Sequence, residues 1–109
     1  MIACIIEFGV KAGRDADRKR LLAELFVELE RLPGFLSKET FDDVDRPGRR
    51  ITISYWQDAD ALGAWMRNPA HMRAITLGKR EVFSHYNVKI AAIQREIDWT
   101  APPVDAVRT

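Results

Sequence analysis

A single cysteine in 109 residues rules out an internal disulfide and leads us to expect a reducing compartment. That residue, Cys4, sits in an apolar run that would raise its pKa, so it reads as an inert core thiol and a poor nucleophile. Net charge is nearly absent as well. Seventeen Lys and Arg against sixteen Asp and Glu leave +1, which gives no electrostatic footprint for nucleic acid. No apolar run approaches the roughly 18 residues of a membrane span, and the N-terminus lacks the charged region and cleavage site of a signal peptide. No membrane partner is expected, and a cytoplasmic location follows by default. No glycine-rich phosphate loop follows a strand, and two distant histidines with one cysteine do not make a metal site, so neither a nucleotide cofactor nor a metal is expected.

What is present is an ordinary globular composition, 47% apolar and 30% charged. The length suits one domain. A chain this short buries only about 60 to 70% of the surface its unfolded form exposes, which makes a homodimer a reasonable expectation.

The chain is organised around residues 51–93. Met1 to Phe8 is an apolar run bounded by Gly9 and predicts a strand covered on both faces. Apolar residues at 21, 22, 25, 26, 29 and 32 predict a helix from Asp15 to Leu32, ended by Pro33-Gly34. Phe35 to Val44 predicts a second strand, and Asp45-Arg46-Pro47-Gly48 a hairpin turn. Ile51 to Trp56 alternates, with Ile51, Ile53 and Tyr55 on one face and Thr52, Ser54 and Trp56 on the other.

Asp58 is an N-cap candidate for a helix whose Leu62, Trp65 and Met66 share a face. Pro69 must interrupt that helix, and Asn68-Pro69 suits the start of another, with Asn68 as cap, Pro69 at the first position and Gly78 as the stop. On it His71, Ala74 and Gly78 share a face. The last strand, Val82 to Ile97, sets Tyr86, Val88, Ile90 and Ala92 against His85, Asn87, Lys89 and Ala91. The tail from Asp98 to Thr109 has no periodicity and reads as a peripheral arm or a disordered end. Residues 1–97 are therefore expected to form the domain.

Strand, helix, strand, strand, helix, strand is the βαββαβ order of a ferredoxin-like α+β fold, with helices on one face of a four-stranded antiparallel sheet. The other face is left uncovered with aliphatic residues on several strands, a liability that a second copy would remove by forming one shared barrel.

Three residue groups carry a resemblance to a family: Tyr55-Trp56 with Asp58 and Trp65; Pro69-Ala70-His71 with Ala74, Gly78 and an aromatic at 83; and Pro33-Gly34-Phe35. With these the chain resembles the antibiotic biosynthesis monooxygenase family of dimeric α+β barrels. The resemblance implies a pocket between helices and sheet in each subunit, lined by Trp65 and Trp56. It also implies a cofactor-free monooxygenase that oxidises an aromatic, quinol or polyketide-like substrate with dioxygen. A deprotonated, electron-rich substrate can pass an electron to dioxygen itself, so the protein supplies desolvation, orientation and one base.

His71 is the candidate base. Near the positive end of a helix dipole its imidazolium is disfavoured, and a neutral imidazole accepts a proton from a phenol. The alternative is a histidine that bonds the loop or packs at a dimer seam. His85 and Asn87, two residues apart on the last strand, aim at one face and are further pocket candidates. Trp65 serves equally well as a core wedge.

The haem-degrading branch of the family uses a first-strand asparagine and a histidine ten residues past the tryptophan. Here the first strand has no asparagine and Ile75 stands at that helix position. His71 lies about 40° around and roughly 6 Å along an ideal helix from Ile75. Haem is therefore a minor alternative, as is a non-catalytic dimeric barrel that binds a ligand or has only a structural role.

Overall fold

The computed structural model describes residues 1–104. Its elements are β1 (Ile2–Val10), α1 (Asp15–Glu30), β2 (Phe35–Asp42), β3 (Arg49–Trp56), α2 (Ala59–Met66), α3 (Pro69–Glu81) and β4 (Phe83–Ala92). The strands form one antiparallel sheet in the order β2-β3-β1-β4. This is the expected ferredoxin-like α+β fold, with its second helix divided in two by Pro69.

Register assigns the two faces. Cys4 pairs with Ser54 and Ile90, Ile6 with Thr52 and Val88, and Phe8 with Arg50 and Tyr86. Directly paired residues of a sheet point the same way, so all of these face the helices. The buried core on that side is Cys4, Leu29, Trp56, Leu62 and Trp65, against which Ile2, Ile6, Phe26 and Phe35 pack. Burial pushes the Cys4 thiol pKa up, against a smaller opposing effect of its hydrogen bond with Ser54, as expected of an inert core cysteine.

The first strand was expected to be covered on both faces, but helices cover only one. Its other side carries Ala3, Ile5 and Glu7 beside Ile51, Ile53 and Tyr55 of β3, with Phe41 of β2 half-exposed. This open face is aliphatic at one end. At the other, Glu7 accepts a 2.7 Å bond from Arg49 and lies 3.8 Å from Lys89.

Local chemistry fixes the helix ends. Asp58 caps α2 by accepting from the Ala61 N–H, and Asn68 caps α3 by accepting from Ala70 and His71. Asp15, in the first turn of α1, accepts from Arg18 and from Arg50 of β3, and these bonds hold its carboxyl pKa down at about 2. They tie the helix start to the sheet. Gly34 adopts φ 85° after α1, and its carbonyl accepts from Gln57 N at 2.7 Å.

Two expected boundaries are corrected. Gly78 does not stop α3, which continues to Glu81. It is a buried helical residue whose missing side chain admits the Phe83 ring, 2.6 Å from where a Cβ would stand. The last strand ends at Ala92 instead of Ile97, because Ala92 already pairs with Ile2, the first residue of β1, and beyond it only the Met1 carbonyl remains, which accepts from Ile93 N at 2.9 Å. Residues 93–103 form no helix or strand, and Ile97 and Trp99 are exposed. The end of the tail, residues 105–109, lies outside the described residues. Among the described residues no helix is long and apolar enough to cross a membrane.

Gly78 and Gly63 make opposite predictions for the same substitution. Alanine gains about 1 kcal/mol of helix propensity over glycine. At Gly78 the new methyl must displace Phe83, which packs edge-on against Phe8 with centroids 5.4 Å apart, and overpacking of that kind costs about 1 to 3 kcal/mol. Gly78→Ala therefore lowers stability. At Gly63 the methyl meets only the movable end of Arg67, 3.1 Å away, so Gly63→Ala raises it. Denaturant melts of both variants check the two signs.

Candidate active site

Between α1, α3 and the helix-side face of the sheet lies a cavity of about 110 Å³. The apolar stripe of α1 forms its roof, with Leu21, Leu22, Leu25, Phe26 and Leu29, while Ile6, Phe8, Thr52 and Ser54 form its floor. Trp65 and Trp56 close one end, and Phe83 and Tyr86 belong to the β4 side. Neither Met66 nor Met72 lines it, and both are substantially exposed. The space beside Trp65 is therefore not plugged by flexible methionine.

The walls are largely hydrocarbon, with few polar groups. Trp56, fully buried, donates its indole N–H to Ser54 Oγ at 2.9 Å. Among the described residues three titratable side chains line the cavity, namely His71, Lys38 and Tyr86, and no carboxylate does. Burial shifts all three toward their neutral forms. It pushes the His71 pKa down, against a smaller opposing pull from the Trp65 backbone, and raises that of the Tyr86 phenol. It lowers the Lys38 ammonium too, with the Arg18 charge adding to the effect.

His71 is held by its position in α3. Pro69 begins the helix, Asn68 caps it, and His71 occupies the first turn, where the dipole also disfavours a cation. Its ring lies tilted on the Trp65 indole, centroids 4.4 Å apart. Its Nδ1 is buried and makes no hydrogen bond of good length and angle to a described residue, the Trp65 backbone offering only a weaker contact. A buried polar atom left without a good partner costs about 1 to 3 kcal/mol.

Of the sequence-predicted site residues, the fold brings Trp65, Trp56 and His71 together on this cavity. It does not bring His85 or Asn87 there. They pair with Gly9 and Glu7 and so lie on the open face, where both are exposed; the His85 ring lies over Gly9. The period-two reasoning put them correctly on one face, but the β1–β4 register makes it the face away from the helices. Sequence reasoning overlooked Lys38 and Tyr86. Lys38 pairs with Ser54, and Tyr86 with Phe8, so both were legible once strand register was known. Ile75, at the position the haem-degrading branch gives to its iron ligand, contributes only an alkyl wall. An alkyl side chain there and a histidine packed against indole do not fit a haem held in that manner.

The family model described as antibiotic biosynthesis monooxygenase matches residues 1–77. The chain belongs to the antibiotic biosynthesis monooxygenase family. Among relatives of this family member, an uncharacterised Bacillus subtilis protein, YqjZ, is 36% identical over 64 residues, 59% of this chain and 54% of the relative. A jasmonate monooxygenase of Pyricularia oryzae is 24% identical over 97 residues, 89% of this chain and 45% of the relative. The chain thus spans about half the length of the curated relatives it matches.

Two solved structures share the fold. SnoaB of Streptomyces nogalater, a cofactor-independent oxygenase, superposes with a TM-score of 0.73 at 19% identity, covering 88% of this chain and 95% of that one. A candidate antibiotic biosynthesis monooxygenase from Deinococcus radiodurans gives 0.80 at 17% identity, covering 93% and 100%.

Two stability predictions follow from this geometry. Trp65 is only 8% exposed and belongs to the core as well as the cavity wall, so Trp65→Ala costs on the order of 3 to 5 kcal/mol, read from denaturant melts. For His71 the folded pKa lies below the ordinary value near 6.5. As pH drops below 6.5 the unfolded chain therefore binds more protons and stability falls. Unfolding midpoints at pH 7.5 and 5.5 should separate in the wild type and converge in His71→Gln.

Proposed function

We propose that this chain is a small monooxygenase that needs no cofactor and oxidises a phenolic or hydroquinone substrate with dioxygen in the cavity beneath α1. The observation that carries the reading is the His71 ring, stacked on Trp65 in the wall of a cavity with no carboxylate among its described lining residues. A neutral imidazole at this position accepts a proton from a substrate hydroxyl.

The phenolate so formed, held among Phe26, Trp65 and leucine side chains, is short of solvation and gives up an electron to dioxygen. Recombination forms a carbon–oxygen bond and leaves a ring peroxide. That peroxide loses water as its carbon gives up a proton, yielding a quinone. For a phenol with a free para position, one oxygen atom enters the product as the new carbonyl and the other leaves as water. His71 returns its proton to the departing hydroxide. The residues provide a dry chamber, orientation and one base.

Size narrows the substrate. The cavity is smaller than the roughly 300 to 1,000 Å³ of common ligand pockets, which favours one or two rings over an extended polycyclic polyketide.

The functional unit in this reading is a homodimer. Ile5, Ile51, Ile53 and Tyr55 lie together on a sheet face that no helix among the described residues covers. A second copy placed face to face buries this aliphatic patch, left bare by the helices of the described residues, and sedimentation should give a dimer at micromolar concentration. A monomer there would contradict this part of the reading.

The enzymatic test is oxygen uptake with 1-naphthol as substrate. One dioxygen should be consumed per naphthoquinone formed, without added cofactor. His71→Ala should slow the reaction about 100- to 10,000-fold. In the wild type kcat/KM should fall only as pH drops through a value below 6.5, because the base is active when unprotonated and burial lowers its pKa. Uptake no faster than the spontaneous oxidation of 1-naphthol would leave ligand binding as the function of this cavity.

A further inference from the structure

Lys38 has the features of a binding residue that lacks its ligand. It lies on β2 in register with Ser54, which directs it to the helix side, and it lines the cavity near the roof residue Phe26. Its Nζ stands 4.8 Å from the centroid of the Phe26 ring.

Its neighbours differ from it in one respect. Arg18 and Arg50, the other cations directed to this side from α1 and β3, are both bonded to Asp15, and Arg50 also to Asp42. Among the described residues Lys38 has no carboxylate within salt-bridge range and no hydrogen-bond acceptor for its ammonium. A half-buried ammonium against an aromatic face, with three unused donors and no counter-charge, is poorly compensated. The cavity it lines offers no acid of its own.

We propose that Lys38 is the anion-binding residue of this cavity, and that the substrate is an aromatic acid whose carboxylate it holds. The inference rests on the cavity's being the substrate site. It adds the chemical class: an apolar ring system with a hydroxyl for His71 and a carboxylate for Lys38. The cavity reaches from β2, where Lys38 stands, to β4 with Tyr86, the two outer strands of the sheet. Three strand spacings separate them, roughly 14 Å, so the floor is wide enough for a two-ring compound lying across the sheet.

The test compares 6-hydroxy-2-naphthoate with 6-hydroxy-2-naphthamide, which share ring and hydroxyl and differ in charge, by fluorescence titration. The acid should bind the wild-type protein at least tenfold more tightly than the amide. In Lys38→Met that preference should vanish while affinity for the amide is kept, and in Lys38→Arg it should persist. Lys38→Gln is run beside Lys38→Met, so that failure of one to fold, seen by circular dichroism, leaves the comparison intact.

Equal binding of acid and amide to the wild type overturns the proposal, as does a preference that survives in Lys38→Met and Lys38→Gln. The second result would mean that Lys38 merely extends its charge to water along the cavity wall. If the amide binds well and the acid no better, only the role of Lys38 falls. If neither compound binds, the assignment of the cavity as a substrate site falls with it.

Discussion

The break between α2 and α3 at Asn68-Pro69 fixes the geometry on which the candidate site depends. Proline cannot continue the first helix, and its ring bars the helical conformation from the residue before it. Asn68 is accordingly extended, with φ −61° and ψ 126°, and its side chain takes up the N–H groups of Ala70 and His71. One short segment thereby ends a helix just past Trp65 and starts another just before His71, bringing the two rings to 4.4 Å. A continuous helix would have set these residues six positions apart on different faces, since six steps of 100° leave them about 120° away from superposition.

Packing further along α3 depends on this start. With the helix angled by the break, Ala74 and Gly78 turn inward, and the absence of a Cβ at Gly78 lets Phe83 lie against the helix. Phe83 in turn contacts Phe8 and Tyr86, so the β4 side of the cavity is set by the same chain of contacts. The result is a pocket with hydrocarbon walls and a few polar groups, each biased by burial toward its uncharged form. Such a chamber suits chemistry in which the substrate supplies the electrons.

Much of this was legible in the sequence wherever the controlling chemistry is local. Asn-Pro, the Asp58 cap, the Pro33-Gly34 terminator and the alternation of Ile51 to Trp56 all act within a few residues, and they give the elements, their order and hence the α+β fold. What was not legible depends on partners distant in the chain. Gly78 looks like a helix stop because glycine often is one, yet here it serves a close approach that only tertiary packing requires. The end of the last strand is set by where β1 stops pairing. His85 and Asn87 alternate as predicted, but only the register with Gly9 and Glu7 shows that they face away from the helices. Lys38 drew no attention for the same reason: a lysine in a strand is usually a solvated residue, and its place on the cavity follows from pairing with Ser54.

The central claim is that His71 is a neutral base on the wall of a ligand-binding cavity, and an NMR titration of its ring resonances tests this most directly. The free protein should show His71 titrating below 6.5. Addition of 1-naphthol should move the His71 ring signals saturably and leave those of His85 in place. A His71 that titrates at or above 6.5, or is unmoved by ligand, would contradict the assignment.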